Sequence, residues 1–519
     1  MQRKVGAQSS EDESQIRDSL KNFTDVYSLV EQNYAEPIRG DKADAAIYDG
    51  AIPGMLRVLD PHSSFYDPKS YAKMREDQRG HYYGVGMVIQ QQGTKVVVIN
   101  PYENTPSFRA GIRPGDVIAS IDGKTTDGMS SDAVAKSLKG PKGTHVQVST
   151  IREGHAEPLV FDLIRDEIPH PSVDLAFEIR PGVGYIHLSQ FQETTGQEVI
   201  DSINGFSNLH GLVLDLRGNP GGLLSQAVEV CDHLLQKGQT IVSQRGRAFP
   251  DQVYTATHGN GGKTFPIVVL VNRNTASAAE IVSGALQDHD RALIVGETTF
   301  GKGLVQTVYN LSEQTGLALT TYHYYTPSGR LIQRNYSGVS LYDYYYNHAG
   351  ASAADSTNRE VKLTDAGRTV YGGGGITPDE KIDQQKSNDF QDQLIIRQTF
   401  FHFAAHYLAN RTVDHNFQVD DAVMKEFKSY LTSQNVPWSD KDVATVNDWL
   451  KVSIREYVLT SQFGQLQGLR AMAEWDPQIQ KAISFLPEAQ ALEEHAHKVL
   501  VEKAEARNMP AGAFSGQQP

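Results

Sequence analysis

Two side chains of this 519-residue sequence have types and surroundings suited to joint chemistry. Ser277 lies in VNRNTASAAEIVSGALQD, straight after the apolar run PIVVLV and straight before helix-forming sequence. A serine at such a strand-to-helix turn sits beside free N–H groups and the positive end of a helix dipole, where an oxyanion is stabilised. A plain N-cap serine has the same setting. Lys302 lies in VGETTFGKGLVQ between two glycines, which let the backbone approach other elements closely. A lysine in a tight, partly apolar place loses solvation, and its neutral amine becomes available as a base. Serine needs such a base, because its hydroxyl is a weak nucleophile at neutral pH. In isolation, Lys302 would read as a surface turn residue.

Two further pieces could complete the chemistry. Gln306 follows Lys302 by four residues. If Gly303 to Tyr309 is a strand, its side-chain carbonyl could accept a hydrogen bond from Lys302 and aim the amine at Ser277. The alternative is an ordinary exposed strand glutamine. The segment DLRGNPGG, residues 215–222, follows the buried-strand sequence GLVL, where sites in open α/β sheets form. Gly221 or Gly222 could offer one oxyanion donor and the Ala278 N–H a second. The alternative is a plain turn with Arg217 paired to a carboxylate.

Other chemistries fit less well. Residues 296–302 match GxxxxGK, yet Gly303 stands where a phosphate-binding loop needs Ser or Thr, and strand-like LVQTVY follows in place of a helix. His402 and His406 have helical spacing, but no Glu follows His402 as HExxH requires. His187 and His289 lie near candidate strands, though no GxSxG elbow surrounds a core serine. No cofactor or metal is expected. The net charge of −14 without a basic run argues against nucleic-acid binding. The single cysteine, Cys231 in VEVCDHLL, excludes an internal disulfide and reads as a small buried hydrophobe. No run of about 18 apolar residues exists to span a membrane. The first residues, MQRKVGAQSSEDES, lack the apolar centre of a signal peptide. This fits either a cytosolic protein or one whose leader or anchor is not part of the chain.

These residues need elements to hold them. Apolar residues at Ile16, Leu20, Phe23, Tyr27, Val30 and Tyr34 predict an amphipathic helix, with a second over Ala45 to Leu59. Residues 1–78 are therefore expected to be a small helical segment. Residues 79–166 mix short strands, glycine turns and one helix, SSDAVAKSL. Residues 167–385 alternate near-continuously apolar strands with helices, which predicts an α/β core with both sheet faces covered. An insertion at 336–375, rich in Tyr and then in small polar residues, is expected as a surface loop or hairpin. Residues 386–519 are strongly helical, apart from a polar, disordered-looking end. The fold class is multidomain α+β and α/β.

Taken together, DLRGNPGG (215–222), NRNTASAAEIVSGALQDHDRALIVGETTFGKGLVQ (272–306) and YTPSGRLIQ (325–333) resemble the carboxyl-terminal processing, or tail-specific, proteases. AGIRPGDVIASIDGK looks like the PDZ domain of that family, and LDPHSSFYDP at 59–68 looks like the start of its protease region. The resemblance implies a serine–lysine dyad of Ser277 and Lys302, with Gln306 in the family's catalytic spacing and no cofactor. It implies an endopeptidase acting on proteins or peptides near free C-termini. It places tail docking on Tyr83, Gly84, Val85, Gly86 and Met87, whose N–H groups would hold the terminal carboxylate. It also implies export to a bacterial periplasm or cell envelope. The helical end is expected to serve oligomerisation or a regulatory or adaptor protein. The competing expectation is a latent or inactive PDZ scaffold that needs a partner.

Overall fold

The computed structural model describes residues 10–347 and 359–508; the first residues, the middle of the 336–375 insertion and the last polar residues lie outside these. Two compact units emerge. One comprises the chain up to Ala72 together with Gln306–Thr320; the other comprises Lys73–Val305 and the chain from Thr321 onward.

In the first unit the expected amphipathic helix spans Ser10–Asn33. Its apolar stripe, including Ile16, Leu20 and Phe23, is exposed. The second expected helix is interrupted: Asp41–Ala45 and Ile52–Arg57 are α-helical, while Ala46–Ala51 forms a π-helical stretch. A short strand unforeseen in the sequence, Ser64–Tyr66, pairs antiparallel with Gly316–Ala318.

The second unit carries three regions. The first is built on a sheet of strands Met87–Gln92, Lys95–Pro101, Val117–Ile121, His145–Ile151 and Leu159–Ile164, with helix Ser131–Leu138 against it. Val96, Val98, Ile118, Val134, Val146 and Val148 fill its core. Met87–Gln92 pairs only with Lys95–Pro101 among the described residues, so one of its edges is open.

The second region is a six-stranded sheet in the order Val173–Arg180, Val183–Leu188, Gly211–Asp215, Ile267–Val271, Leu293–Gly296 and Glu380–Lys381. The first pair is antiparallel and the rest are parallel. Side chains alternate between the two faces of a strand. Leu212, Leu214, Val269 and Val271 pack into a core with Val199, Ala227, Val230, Val282 and Leu286 from three helices, Thr195–Gly205, Leu224–Asp232 and Ala278–Asp288. Val213, Val268 and Leu270 face the other way, onto Ala473, Ile479, Ala482 and Leu486. Both faces are covered, which is why these strands read as unbroken apolar runs.

The helical region therefore divides. Helices Asp389–Ile396, Thr399–Leu408, Asp421–Ser433, Asp440–Thr445 and Asn447–Phe463 enclose their own core around Phe403, Phe427 and Leu450. Helices Gln465–Trp475, Pro477–Ser484 and Leu486–Asn508 follow, and residues from all three cover the second face of the sheet. The described part of the insertion contains helix Leu341–Tyr345 and an antiparallel pair, Val361–Leu363 with Thr369–Tyr371. The turn of that pair is fixed to the sheet unit: the Arg368 guanidinium bonds Asp290 at 2.6 Å and Asp379 at 2.7 Å.

No described helix is long and apolar enough to cross a membrane. Cys231 is fully buried, and burial pushes its thiol well above the ordinary range.

Candidate active site

The loops singled out from the sequence leave the carboxyl ends of three adjacent parallel strands. Asp215 ends one strand and leads into 216–222; Val271 ends the next and leads to Ser277; Gly296 ends the third and leads to Lys302. This is where an open α/β sheet presents its sites.

Ser277 is half-buried and occupies the N-cap of helix Ala278–Asp288. Its backbone is not that of an ordinary cap. An N-cap residue is typically extended, whereas Ser277 has φ 55° and ψ −115°. A non-glycine residue held at positive φ is strained, and such strain concentrates at functional sites. The surroundings hold it there. Ala276 N–H donates to the Asn219 carbonyl at 2.9 Å, the Thr275 hydroxyl to the Leu216 carbonyl at 2.8 Å, and the buried Tyr324 hydroxyl to the Ser277 carbonyl at 3.1 Å.

The residue that joins the loops was not singled out from the sequence. Glu280 is completely buried, one turn into the helix. Its Oε2 accepts the N–H of Ser277 at 2.8 Å and the N–H of Lys302 at 2.9 Å. Its Oε1 accepts the Thr299 hydroxyl at 2.5 Å and the Gly301 N–H at 2.7 Å. Burial pushes the Glu280 carboxyl above the ordinary glutamate range, and the four donors oppose that shift. A ring made only of donors suits the ionised form. The main chains that carry the hydroxyl and the amine thus meet on one oxygen atom. The available signal was the spacing Ser-x-x-Glu at a helix start, a capping box.

Lys302 is half-buried, and its loop is fixed on its other side by the Gly303 N–H, which donates to Gln333 Oε1 at 2.8 Å. The chain then runs into strand Leu304–Asn310, close to the expected Gly303–Tyr309 and without the helix a phosphate loop would need.

Gln306 belongs to the other compact unit. There its Nε2 donates to Thr320 Oγ1 at 3.1 Å. The Thr320 N–H donates to Ser63 Oγ at 3.1 Å, and the Ser63 hydroxyl donates to Asp60 Oδ2 at 2.7 Å. The motif LDPHSSFYDP therefore supplies the relay that orients the Gln306 amide. Nothing in its own composition announced that partner.

The glycine loop needs its glycines. A Cβ on Gly221, at φ 98°, would stand 2.7 Å from the Ser277 Cβ; one on Gly222 would stand 2.1 Å from the Phe191 carbonyl oxygen. The Gly221 N–H donates to Asn219 Oδ1 at 2.8 Å, so in this conformation it is engaged.

Arg217 takes the alternative reading. It binds Asp215 through Nε and a terminal nitrogen, at 3.0 and 2.6 Å, and reaches Asp476 at 3.0 Å. Burial pushes the Asp215 carboxyl up, but the guanidinium outweighs it and holds the group below its ordinary range. His187 and His289 bond Asp174 (2.5 Å) and Asp365 (2.7 Å), so each imidazole Nδ1 is committed to a carboxylate.

In the region 81–169, Gly86 has φ 81°, and its carbonyl accepts the hydroxyls of Thr105 at 3.0 Å and Ser107 at 2.5 Å. The Val85 carbonyl accepts the Ser107 N–H at 2.9 Å. Both carbonyls point inward. Tyr83 is exposed, and Val85 and Met87 are buried.

Comparison with known proteins matches peptidase family S41 over residues 182–340. A PDZ domain matches over 81–161, and the C-terminal helical domain of probable PDZ-proteases over 390–441. The carboxy-terminal-processing protease of Bartonella bacilliformis is 40% identical over 321 residues, covering 60% of this chain and 72% of that protein. The carboxyl-terminal-processing protease of Synechocystis is 36% identical over 325 residues, covering 61% and 75%. The solved photosystem II D1 C-terminal processing protease is 29% identical and covers 70% of this chain and 92% of its own, with a TM-score of 0.35.

Fold and family together define a serine-type peptidase with a PDZ domain before its α/β core and a helical domain after it. The chain belongs to the carboxy-terminal processing proteases.

Proposed function

We propose that this protease cleaves protein tails with Ser277 as nucleophile and neutral Lys302 as general base. The observation that carries the reading is the convergence of the Ser277 and Lys302 amides on Glu280 Oε2. Lys302 takes the hydroxyl proton as Ser277 Oγ attacks the scissile carbonyl. The proton passes to the leaving amine, an acyl-enzyme remains, and water releases it. Gln306, oriented by Thr320, turns its carbonyl oxygen to the lysine. Ala278 N–H is the first oxyanion donor. The second comes from the Gly221–Gly222 turn, with Gly221 serving once its N–H leaves Asn219.

The PDZ domain docks a free C-terminus on Tyr83 to Met87, the tail adding as a strand along the open edge of Met87–Gln92.

We further propose the division 1–78, 79–166, 167–385 and 386–519, and export to a periplasm or cell envelope. The exposed stripe of Ile16, Leu20 and Phe23 supports a homo-oligomer.

The test is cleavage of casein by the parent, Ser277→Ala and Lys302→Ala. The parent is expected to cleave and both variants to lose at least about a thousandfold. The parent's rate should rise with pH as the lysine deprotonates. Retained cleavage by Ser277→Ala, or a rate falling steadily from about pH 6 to 9 in folded protein, would overturn the dyad.

A further inference from the structure

A cavity of about 620 Å³ lies away from the catalytic loops, between the PDZ domain and the first helices of the C-terminal region. The PDZ side contributes Arg113, Arg152, Glu153 and His155; the helical side contributes Arg397, Thr399, His402 and His406. The chain as a whole carries −14, yet this wall is cationic.

The carboxylates nearby are already used. Arg152 is neutralised by Asp116, with contacts of 2.6 and 2.7 Å. Glu153 faces His406 Nδ1 at 3.2 Å. Arg113 and Arg397, one from each side, have no carboxylate partner among the described residues. Guanidinium groups left over in this way suit a planar or tetrahedral oxyanion.

Two features of helix Thr399–Leu408 point the same way. The cavity wall includes its first turn, from Thr399 to His402. The opening N–H groups of a helix have no intrahelical acceptor and favour negative charge. Thr399 is also 97% buried, and its hydroxyl has no hydrogen-bond partner among the described residues. A buried orphan donor on the wall of a cavity calls for an acceptor. The preceding residue, Gln398, is anchored to the PDZ domain: it donates to Gln90 at 2.8 Å and accepts from Gln92 at 2.9 Å. The mouth of the cavity is thus built jointly by the two domains.

We propose that this cavity binds a small organic phosphate. Its oxyanion sits against Arg113, Arg397 and the opening turn at Thr399, and its body fills a volume of the size that holds small ligands. Bound there, the ligand ties the PDZ domain to the helical region. The site is independent of the serine–lysine chemistry, so either reading can fail without the other.

The experiment follows thermal unfolding of the full chain against inorganic phosphate, with sodium chloride at matched ionic strength as the control. Phosphate should raise the melting temperature saturably beyond the salt control. The exposed pair Arg113→Ala/Arg397→Ala should weaken the apparent affinity by about tenfold or more. Thr399→Val, which keeps the shape, should weaken it by roughly threefold. All variants should still cleave casein as the parent does. A shift that never saturates, or one unchanged in the double arginine variant, marks a general salt effect and overturns the proposal.

Discussion

The loops around Ser277 and the loop around Gly86 are held differently. At Ser277 the supporting polar groups are buried and satisfied, and one carboxylate takes four donors. At Gly86 the carbonyl is held inward by two hydroxyls, those of Thr105 and Ser107. The first arrangement is preorganised, as electrostatic stabilisation of a transition state requires. The second is fixed through its carbonyl by neutral partners alone, which suits the reversible docking proposed for it.

Replacing Glu280 should break the comparison most severely. Glu280→Ala strands three N–H groups and the Thr299 hydroxyl, and should cost about 3 kcal/mol or more in denaturant unfolding. Activity should fall at least about a hundredfold, because the two loops lose their common anchor. Glu280→Gln keeps the volume but sets an NH2 among donors, so it should restore much of the stability and little of the activity. An active Glu280→Ala enzyme, within about threefold of the parent, would sink the anchoring role.

A smaller effect concerns pH. Burial disfavours the charged form of His187, but Asp174 and Asp215 outweigh it and raise its pKa to about 9. A raised imidazole pKa stabilises the fold fully below its unfolded value near 6.5, and that stabilisation is lost as pH rises through about 9. The melting temperature should therefore drop by roughly 2–4 °C between these limits. The drop should shrink in Asp174→Asn. A full-sized drop in that variant would show that other groups carry it. Catalysis by Lys302 is expected to rise over the same interval, so activity and stability should move in opposite directions.

The smallest effect is at the PDZ loop. Gly86→Ala sets a Cβ 2.4 Å from the Thr105 Cβ at φ 81° and so deforms the loop. It should weaken binding of a peptide with a free C-terminus by roughly threefold to tenfold, and leave an amidated peptide unchanged. Fluorescence anisotropy reads this directly. Equal effects on both peptides would remove this loop from the carboxylate position.

Much of this molecule was legible in order. The apolar runs at 211–215 and 267–271 gave strands buried on both sides, and Ser277 was placed at a strand-to-helix turn. Their periodicity is local, and so are the steric preferences of the glycines at 221, 301 and 303. Glu280 was less visible, because a capping-box glutamate looks the same whether it serves its own helix or also gathers a second loop. Its reach to Thr299, Gly301 and Lys302 depends on two strands lying side by side. The relay from Asp60 through Ser63 and Thr320 to Gln306 joins positions roughly 250 residues apart.

The sequence by itself determined which groups are available: a hydroxyl, an amine, an amide and the glycines that let them crowd together. It also determined the family, because those types recur at fixed separations. Only the tertiary structure decided which groups meet. Spacing along the chain is set by covalent geometry, whereas convergence on a buried carboxylate, or two arginines left facing one cavity, depends on how separate elements pack and on which charges find partners first.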